Sequence, residues 1–556
     1  MTNMQQFVFD YLEKSRRDPM IDSCVYLRLE QISVAVKNYH NSTVHSDLDH
    51  VSEVRNRISD YSLHRLKRLE EILGSSDRSS ETRDTIETLR SESQRNVLVL
   101  MTAHQPNLFA YSGVLKKIAL LSSLSKSINN NSDSQTKIVC FFGVADHDFV
   151  SNKWVRSAEI PSPTRKDGVL RFNVKLDKKQ FFLPSNKIPK PPKSTLDSWK
   201  DQTISWIKEN AALARKQLPI FSGSEHSASI ESIALNGFSD YWQIVESVWA
   251  KTDTLAEFSS QTLAAISQQM FSTPLVFANF SDCFRLFGDE YEQLVSSYAS
   301  YTKVVEDNES ALKSQGVDSG LSEEQGFASP LWMKCDCGSK RKLIFGESSV
   351  IGKCLGCQDE KLFSVEELKS QVDRDPGLFE PRSISMPIIF SHGFGMDCYV
   401  GGIGGLGYLL HSRAASAALN IPFPPTPYWY SPDRSLTIES LAAVTSLDRI
   451  SKEYKLEDRV RASDVEAIRE KAKKFGEVLE DKRGTGQLSR SPVLERDVQM
   501  LQRMAIYDNS YPNSIEIAIN FGRVSAGDQW ENHLETDGHL QVPVQLKPKW
   551  LQEPEN

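Results

Sequence analysis

Three polar side chains appear where an apolar run ends, near residue 104. The run NVLVLM is followed by His104, Gln105 and Asn107 within the segment MTAHQPN. An imidazole can transfer protons near neutral pH, and the two amides can hydrogen-bond a nucleotide or another polar ligand. Lys116 or Lys117, in the amphipathic run that follows, could add a positive charge. In a structural alternative, His104 and Asn107 only satisfy the turn and cap the helix.

A second polar group, Asp146-His147-Asp148, follows the apolar run KIVCFFGVA. Two carboxylates that flank an imidazole can bind a divalent cation, orient a substrate ammonium or tune the histidine. We take these three residues and His104 as candidate catalytic residues. In the alternative, they form a solvated loop in which Asp148 caps a helix.

A glycine-rich segment, YVGGIGGLGYLLHSR, lies between an apolar run and a helical pattern. Glycines let backbone amides approach a ligand closely, so Gly401, Gly402, Gly404 and Gly405 are candidates for binding a substrate or a nucleotide such as ATP or ADP. His392 lies just before this segment and could join the site. The segment has no acidic residue at the downstream position expected of an NAD site. Close packing of helix on strand is the structural alternative.

Four of the eight cysteines fall within 23 positions, as Cys335-x-Cys337 and Cys354-x-x-Cys357. Four thiolates can close a tetrahedral zinc site with no open position for catalysis. The sequence therefore predicts a structural Zn²⁺ that staples a small ribbon, with buried free thiols as the alternative. The remaining cysteines are scattered, which is typical of reduced thiols in a cytoplasmic protein.

The elements that would position these residues indicate an α/β fold. NVLVLMTA and KIVCFFGVAD have the continuous apolar character of strands buried on both faces, and SGVLKKIALLSSLSKSI between them has a helical pattern. A strand, a helix and a strand in this order predict a parallel sheet with a Rossmann-like core. TPLVFANF, SMPIIF and DCYVGG are predicted as further strands, and SPTRKDGVLRFNVKL as an antiparallel excursion. Ligands bind at the carboxyl ends of such strands.

The predicted units follow the changes in composition along the chain. They are a helical N-terminal region (1–95), the first half of the core with a helical insertion (96–330), a zinc-ribbon insertion (331–360), the second half of the core (361–445) and a helical C-terminal region (446–556). In the last region, Val465, Ile468, Ala472, Phe475 and Leu479 form one apolar seam. The seam could belong to a short coiled coil or to a plain amphipathic helix.

Composition and charge narrow the classes of partner. The chain has 39% hydrophobic and 25% charged residues and a formal net charge of −8. A global basic field for nucleic acid is absent, and no window approaches the ~20 apolar residues of a membrane helix. We therefore expect a cytoplasmic protein that acts on small molecules, without a membrane partner and with nucleic acid disfavoured.

Four of these segments, in order, resemble the bacillithiol synthase family: MTAHQPNLFAYSG, FFGVADHDF, LFEPRSISMPIIF and YVGGIGGLGYLLHS. The similarity spans roughly residues 95 to 440. It implies a Rossmann-like core related to class I aminoacyl-tRNA synthetases and nucleotidyltransferases, and a coiled coil that pairs two subunits. It also implies a ligase that adds cysteine to an amino-sugar conjugate, glucosaminyl-malate.

Some positions depart from that family. His104-Gln105 stands where the family has two glutamines, Gly405 where it has an acidic residue, and Ser391 where it has an aspartate. The HQPN segment resembles instead WbqC-like proteins linked to glycan biosynthesis. A bacillithiol-synthase-like ligase is the expected function. A nucleotide-dependent glycan-pathway transferase and an RNA-binding relative of tRNA synthetases are the alternatives.

Overall fold

A computed structural model describes residues 25–43, 47–130, 136–165, 168–217, 230–315, 319, 327–346, 349–429, 431, 433–456, 465–489, 491–505 and 511–551. The helices in these ranges are Leu29–Ser42 (α1), Leu48–Leu73 (α2), Asp77–Ser91 (α3), Ser112–Asn130 (α4), Lys153–Arg156 (α5), Lys193–Ala214 (α6), Ile230–Lys251 (α7), Leu255–Met270 (α8), Phe280–Cys283 (α9), Gly288–Ser296 (α10), Tyr298–Ser314 (α11), Val365–Arg374 (α12), Met386–Gly393 (α13), Leu406–Ala418 (α14), Ile438–Tyr454 (α15), Val465–Gly484 (α16), Pro492–Ala505 (α17), Ser514–Asn520 (α18) and Arg523–Thr536 (α19). None of these described helices is both long and apolar enough to cross a bilayer.

The described strands form a four-stranded parallel sheet, a short two-stranded parallel pair and two antiparallel sheets. They are Val97–His104 (β1), Lys137–Val144 (β2), Ser157–Pro161 (β3), Val169–Asn173 (β4), Leu275–Asn279 (β5), Leu331–Lys334 (β6), Lys340–Phe345 (β7), Ser349–Cys354 (β8), Glu360–Ser364 (β9), Phe379–Pro381 (β10), Cys398–Val400 (β11), Arg434–Ser435 (β12) and Gln545–Leu546 (β13). The parallel sheet has the order β11-β1-β2-β5. The predicted α/β class, the parallel sheet and its strands β1, β2, β5 and β11 are confirmed.

Both faces of the parallel sheet are buried, which explains why its strands read as continuous apolar runs. In β1, Leu98 and Leu100 face a core that includes α4, whereas Val99 and Met101 face a second core that includes α2. All four side chains are at most 1% exposed. Because each face must be apolar, the alternation of a half-exposed strand disappears from the sequence.

One predicted strand is wrong. SMPIIF belongs to helix α13, with Pro387 in its first turn. Ile388, Ile389 and Phe390 are all at most 1% exposed, so most of the helix surface is buried. A short apolar run of this kind carries no period that separates a buried strand from a buried helix. Proline is also favoured in the first turn of a helix.

The four cysteines lie in a five-stranded antiparallel sheet of order β10-β6-β7-β8-β9. Strands β9 and β10 carry this sheet beyond the predicted insertion of residues 331–360. Leu368 and Val372 of α12 join the core that also covers one face of the parallel sheet. The cysteine sheet is therefore packed onto the main core through a shared apolar cluster.

The described residues before β1 are mainly helical, as are those after β11 apart from β12 and β13, and the predicted antiparallel excursion overlaps the second strand of the β3–β4 hairpin. The apolar seam of α16 packs within this chain: Ile468, Ala472, Phe475 and Leu479 share a cluster with Leu494 and other residues of α17. The described part of the seam is thus occupied by α17 of the same chain.

Replacement of Gly143 by alanine should destabilise the end of β2. A Cβ atom at this position would lie 2.1 Å from Cε1 of Phe280, in the first turn after β5. Overpacking of this kind costs about 1–3 kcal/mol. We expect calorimetry to give a lower melting temperature for Gly143→Ala. Gly484→Ala, where no atom lies within 4 Å, is the matched control and should melt like the parent protein. Equal melting of all three proteins would contradict this packing.

Candidate functional site

The carboxyl ends of the four parallel strands meet at one edge of the sheet. His104, the last residue of β1, pairs with Val144, and Val144 pairs with Asn279 of β5. On the other side, Thr102 pairs with Val400, the last residue of β11. We call this edge the rim, defined by His104, Asp146–Asp148, Asn279 and Gly401–Gly402. Three segments that are distant in sequence therefore come together as expected from a parallel sheet.

His104 is held as a neutral hydrogen-bonding group. Its Nδ1 lies 3.0 Å from the carbonyl oxygen of Gln105, so Nδ1 donates, and Nε2 accepts from the hydroxyl of Tyr111 at 3.1 Å. Burial, with the nearby charge of Lys117, lowers the pKa of His104 to about 3. So weak a base is a poor proton acceptor at neutral pH. The geometry instead lets His104 orient Tyr111.

Asp148 is the carboxylate of the rim that remains accessible. Its Oδ2 accepts a hydrogen bond from Nε2 of Gln105 at 2.9 Å, and Gln105 is itself fixed by Asn152 at 2.8 Å. Its Oδ1 lies 3.4 Å from Nε2 of His147, and 35% of the Asp148 side chain is exposed. Burial by the surrounding protein raises the pKa of Asp148. This oriented carboxylate is the best-placed proton acceptor at the rim.

His147 lies behind Asp148 in an aromatic pocket. Its ring meets Phe284 edge to face, with centroids 4.6 Å apart. Burial lowers the pKa of His147 well below its usual value, and the charges of Lys340 and Lys334 act in the same direction. Its Nδ1 has no hydrogen-bond partner among the described residues. The His147 ring lies in contact with Asp148 and packs behind that carboxylate.

Asp146 has a structural arrangement, unlike the catalytic role expected for it. One oxygen accepts from the backbone N–H of Ser281 at 3.0 Å, and the other from the Ser281 hydroxyl at 2.5 Å and from Asn186 at 3.3 Å. Burial raises its pKa to about 6. With both oxygens engaged, Asp146 ties the end of β2 to the end of β5.

Lys117 is the residue that brings positive charge to the rim. Its Nζ donates to the carbonyl oxygen of Ala103 at 3.0 Å, and a Cβ atom on Gly402 would lie 2.9 Å from its Cε. Burial lowers the pKa of Lys117 to about 8. A larger residue at 402 would require the end of the Lys117 side chain to shift. The sequence did not distinguish Lys116 from Lys117 as the source of this charge.

The other glycines of the turn differ in the space around them. A Cβ on Gly401 would meet the side chain of Leu409 at 2.7 Å, so close packing explains this glycine. A Cβ on Gly405 would lie 2.6 Å from the hydroxyl of Tyr408, whereas Gly404 has no neighbour within 4 Å and faces open space. Tyr408 also interacts electrostatically with Asp148. Tyr408 directly follows the GGLG segment, but it was not among the residues predicted from the sequence.

Asn107 lies in the turn after β1 and is 5% exposed. Neither atom of its amide group has a hydrogen-bond partner among the described residues. A buried amide without partners costs free energy unless a ligand or a water molecule satisfies it. A role of Asn107 in ligand binding stays a prediction.

Two predicted binding residues lie away from the rim. Lys116 donates to the carbonyl oxygen of Ser431 at 2.7 Å and to Asp433 at 2.9 Å, below the ring of Trp429. His392 lies 2.7 Å from a carboxylate oxygen of Glu290. The structure does not bring Lys116 or His392 to the other candidate residues, because both side chains are bound elsewhere.

The four cysteines form a compact group that could hold a metal ion. The sulfur atoms of Cys335 and Cys357 are 3.7 Å apart, those of Cys337 and Cys354 are 3.5 Å apart, and all four lie within 4.8 Å of one another. Tetrahedral coordination with metal–sulfur bonds of about 2.3 Å requires sulfurs about 3.8 Å apart. The donor set and its spacing therefore fit a tetrahedral thiolate site.

The cysteine sheet also reaches the rim. Lys340, the first residue of β7, is 2% exposed and pairs with Glu380 at 2.8 Å. Its charge acts on both His147 and Asp148. The segment between the two cysteine pairs thus contributes to the electrostatics of the candidate site.

The lowered pKa of Lys117 predicts a pH-dependent stability. The folded protein holds this proton less tightly than the unfolded chain does, so unfolding takes up a proton between pH ~8 and ~10.5. The free energy of unfolding should therefore rise with pH in this window, by about 3 kcal/mol. Calorimetry of Lys117→Met between pH 7 and 10 should show this rise missing relative to the parent protein. Lys67→Met, at an exposed position on α2, controls for loss of one positive charge. Identical pH profiles for all three proteins would contradict the assignment.

Comparison with known proteins gives this chain no family. No family model matches it, and no curated protein matches it either. The side chains of the rim and the cysteine group are therefore the basis on which a function can be proposed.

Proposed function

We propose that the protein is a ligase that forms a carbon–nitrogen bond at the rim. It would join an amino acid, with cysteine as the first candidate, to a small amino-sugar-type metabolite, as the resemblance of four motifs to the bacillithiol synthase family implies. The observations that carry this proposal are an oriented carboxylate (Asp148) and a buried ammonium (Lys117) near the carboxyl ends of the strands, and an unpartnered amide (Asn107) in the turn after β1.

These groups match the needs of amide formation. The amine nitrogen attacks an activated carboxyl carbon, a new C–N bond forms, and the bond from that carbon to its leaving group breaks. Asp148 accepts the proton that the amine loses. Lys117 and the backbone around Gly402 hold the negative charge of the activated group, and Asn107 hydrogen-bonds the substrate.

The two histidines have supporting roles in this proposal. His147 packs against Asp148, with its Nε2 3.4 Å from Oδ1, and His104 orients the hydroxyl of Tyr111. Neither needs to change its charge during the reaction, in keeping with their low pKa values. Both histidines are positioning residues in this proposal, and Asp148 carries out the proton transfer.

Activation of the carboxyl group requires a phosphorylated donor, for which we propose ATP or another nucleotide. The open space at Gly404 and the close backbone approach at Gly402 suit a phosphate group. We further propose that the protein acts in the cytoplasm on small molecules and without nucleic acid, in line with its net charge of −8. A homodimer remains a prediction.

The test begins with isothermal calorimetry of ATP, ADP and cysteine, and continues with a ligation assay that follows the product by mass spectrometry. We expect Asp148→Asn to lower kcat/KM by ~10²-fold or more. His104→Ala and His147→Ala should lower turnover less than Asp148→Asn does. His392→Ala, a histidine away from the rim, is the matched control and should retain activity.

Undiminished turnover in Asp148→Asn, His104→Ala and His147→Ala would remove these assignments. Failure of any amino acid to be ligated, together with binding and transfer of a sugar nucleotide, would replace this proposal with the glycan-pathway transferase.

We also propose that the metal of the cysteine group is zinc. Four thiolates at tetrahedral spacing are typical of a structural Zn²⁺ and leave no coordination position for a substrate. The ion would fix the loop that leads into β7 and so hold Lys340 near Asp148.

Metal analysis of the purified protein should find about one zinc per chain. Cys354→Ser and Cys357→Ser should lose the metal and lower the melting temperature, whereas Cys140→Ser, outside the group, should retain it. A full complement of zinc in the first two variants, or none in the parent protein, would contradict this site.

A further inference from the structure

The cysteine sheet lies against the chain segment that carries Asp148. We call residues 146–150 the rim segment. The ring of Phe149 contacts the sheet twice: it meets Trp332 of β6 edge to face, with centroids 5.9 Å apart, and Nζ of Lys340 in β7 lies 5.0 Å from its centroid. Because Phe149 directly follows Asp148, these contacts restrain the backbone that presents the carboxylate.

A further contact joins the first cysteine pair to the rim segment through Leu183. A Cβ atom on Gly338, the residue after Cys337, would lie 3.4 Å from Cδ2 of Leu183. The carbonyl oxygen of Leu183 accepts a hydrogen bond from the backbone N–H of Val150 at 3.1 Å. The turn that follows Cys337 is therefore connected to the rim segment through a single intervening residue.

The turns of the two cysteine pairs also contact each other at the start of β7. In the second turn, the backbone N–H of Leu355 donates to the carbonyl oxygen of Lys340 at 3.0 Å. A Cβ atom on Gly356 would lie 2.7 Å from Cβ of Ser339 in the first turn. A structural metal contributes its binding free energy to the fold around it, so these two turns are the part of the sheet that depends most on the ion.

The body of the cysteine sheet has restraints that need no metal. Leu343 of β7 and Val350 of β8 are fully buried in the core that also covers one face of the parallel sheet. The side chain of Lys340 pairs with the buried carboxylate of Glu380 at 2.8 Å. Loss of the ion should therefore loosen the two turns and the segment they contact, and leave the rest of the sheet folded.

We propose that metal binding at the cysteine group controls the rim. With the ion bound, the two turns hold the rim segment in the position that presents Asp148, and loss of the ion releases that segment. This inference rests on the function and the zinc site proposed above and concerns the regulation of the same site. The ion acts on the rim through protein contacts and binds no substrate. By linkage, the rim segment must strengthen metal binding by the same factor by which the metal stabilises the segment.

Hydrogen exchange of the full chain, followed by mass spectrometry, tests the effect of the metal on the rim segment. The comparison is between the zinc-loaded protein, the same protein after chelation and the chelated protein after addition of zinc chloride. We expect the rim segment to exchange ~5-fold faster or more without zinc, the lower end of typical couplings between sites, and to recover when zinc is restored. Helices α16 and α17, whose side chains share a separate cluster, should exchange at an unchanged rate.

Two variants of the cysteine turns accompany this measurement. Cys357→Ser removes an exposed ligand and should reproduce the effect of chelation. Asp336→Ser, at an exposed position between the two cysteines of the first pair, is the matched control. It should keep both the zinc and the slow exchange of the rim segment.

A competition titration against a chromogenic chelator tests the reverse direction of the coupling. Phe149→Ala changes no residue of the cysteine sheet, yet it should weaken zinc affinity by about the factor found in the exchange experiment. Phe182→Ala, which removes an aromatic ring that is 43% exposed, is the matched control and should bind zinc like the parent protein.

Unchanged exchange of the rim segment in a protein that has lost its zinc would overturn the proposal, as would equal zinc affinity in Phe149→Ala and the parent protein. Faster exchange that extends equally to α16 and α17 would also overturn it, because the metal would then stabilise the whole chain. A parent protein without zinc would overturn both this control and the metal site. Neither measurement uses the ligation reaction, so failure of the proposed ligase is distinguished from failure of the coupling.

Discussion

The constraint on which this molecule depends is that both faces of its parallel sheet are buried. Apolar side chains fill the two cores, so polar groups that belong to the strands can only appear at the sheet edges. The carboxyl ends of four strands share one such edge, and there the chain places its histidines, carboxylates and glycines. The grouping of polar side chains at this edge is therefore a consequence of burying both faces of the sheet.

Within that edge, neighbouring residues have sharply different environments. Asp146 uses both oxygens to tie two strand ends together, whereas Asp148, two positions later, keeps about a third of its side chain exposed. Lys116 and Lys117 differ in the same way, since one pairs with Asp433 and the other lies under the glycine turn. In each pair, two carboxylates or two ammonium groups that are close in sequence have different hydrogen-bond partners.

The sequence was sufficient to predict the four strands of the parallel sheet, the meeting of distant segments and the cysteine group, because these depend on local apolar runs and on fixed spacing. The sequence was insufficient for features that depend on tertiary packing, such as the direction in which a side chain points. Consecutive residues on a helix point about 100° apart, and only the burial of α4 determines which lysine reaches the edge. SMPIIF forms a helix, and the sequence predicted a strand because a fully buried run carries no period that separates the two. The hydrogen bonds that occupy Asp146 come from Ser281 and Asn186, far away in sequence.

The position of β11 beside β1 has a consequence for synthesis of the chain. Thr102 and Val400, which meet at this pair of strands, are 298 positions apart. While the chain emerges from the ribosome, β1 can pair with β2 early. The side of β1 that pairs with β11 stays unpaired until some 300 residues beyond β1 have been made. An unpaired apolar strand invites aggregation, and contacts so distant form slowly. The nascent protein would therefore need protection, by a chaperone or by its own N-terminal helices, until its last parallel strand arrives.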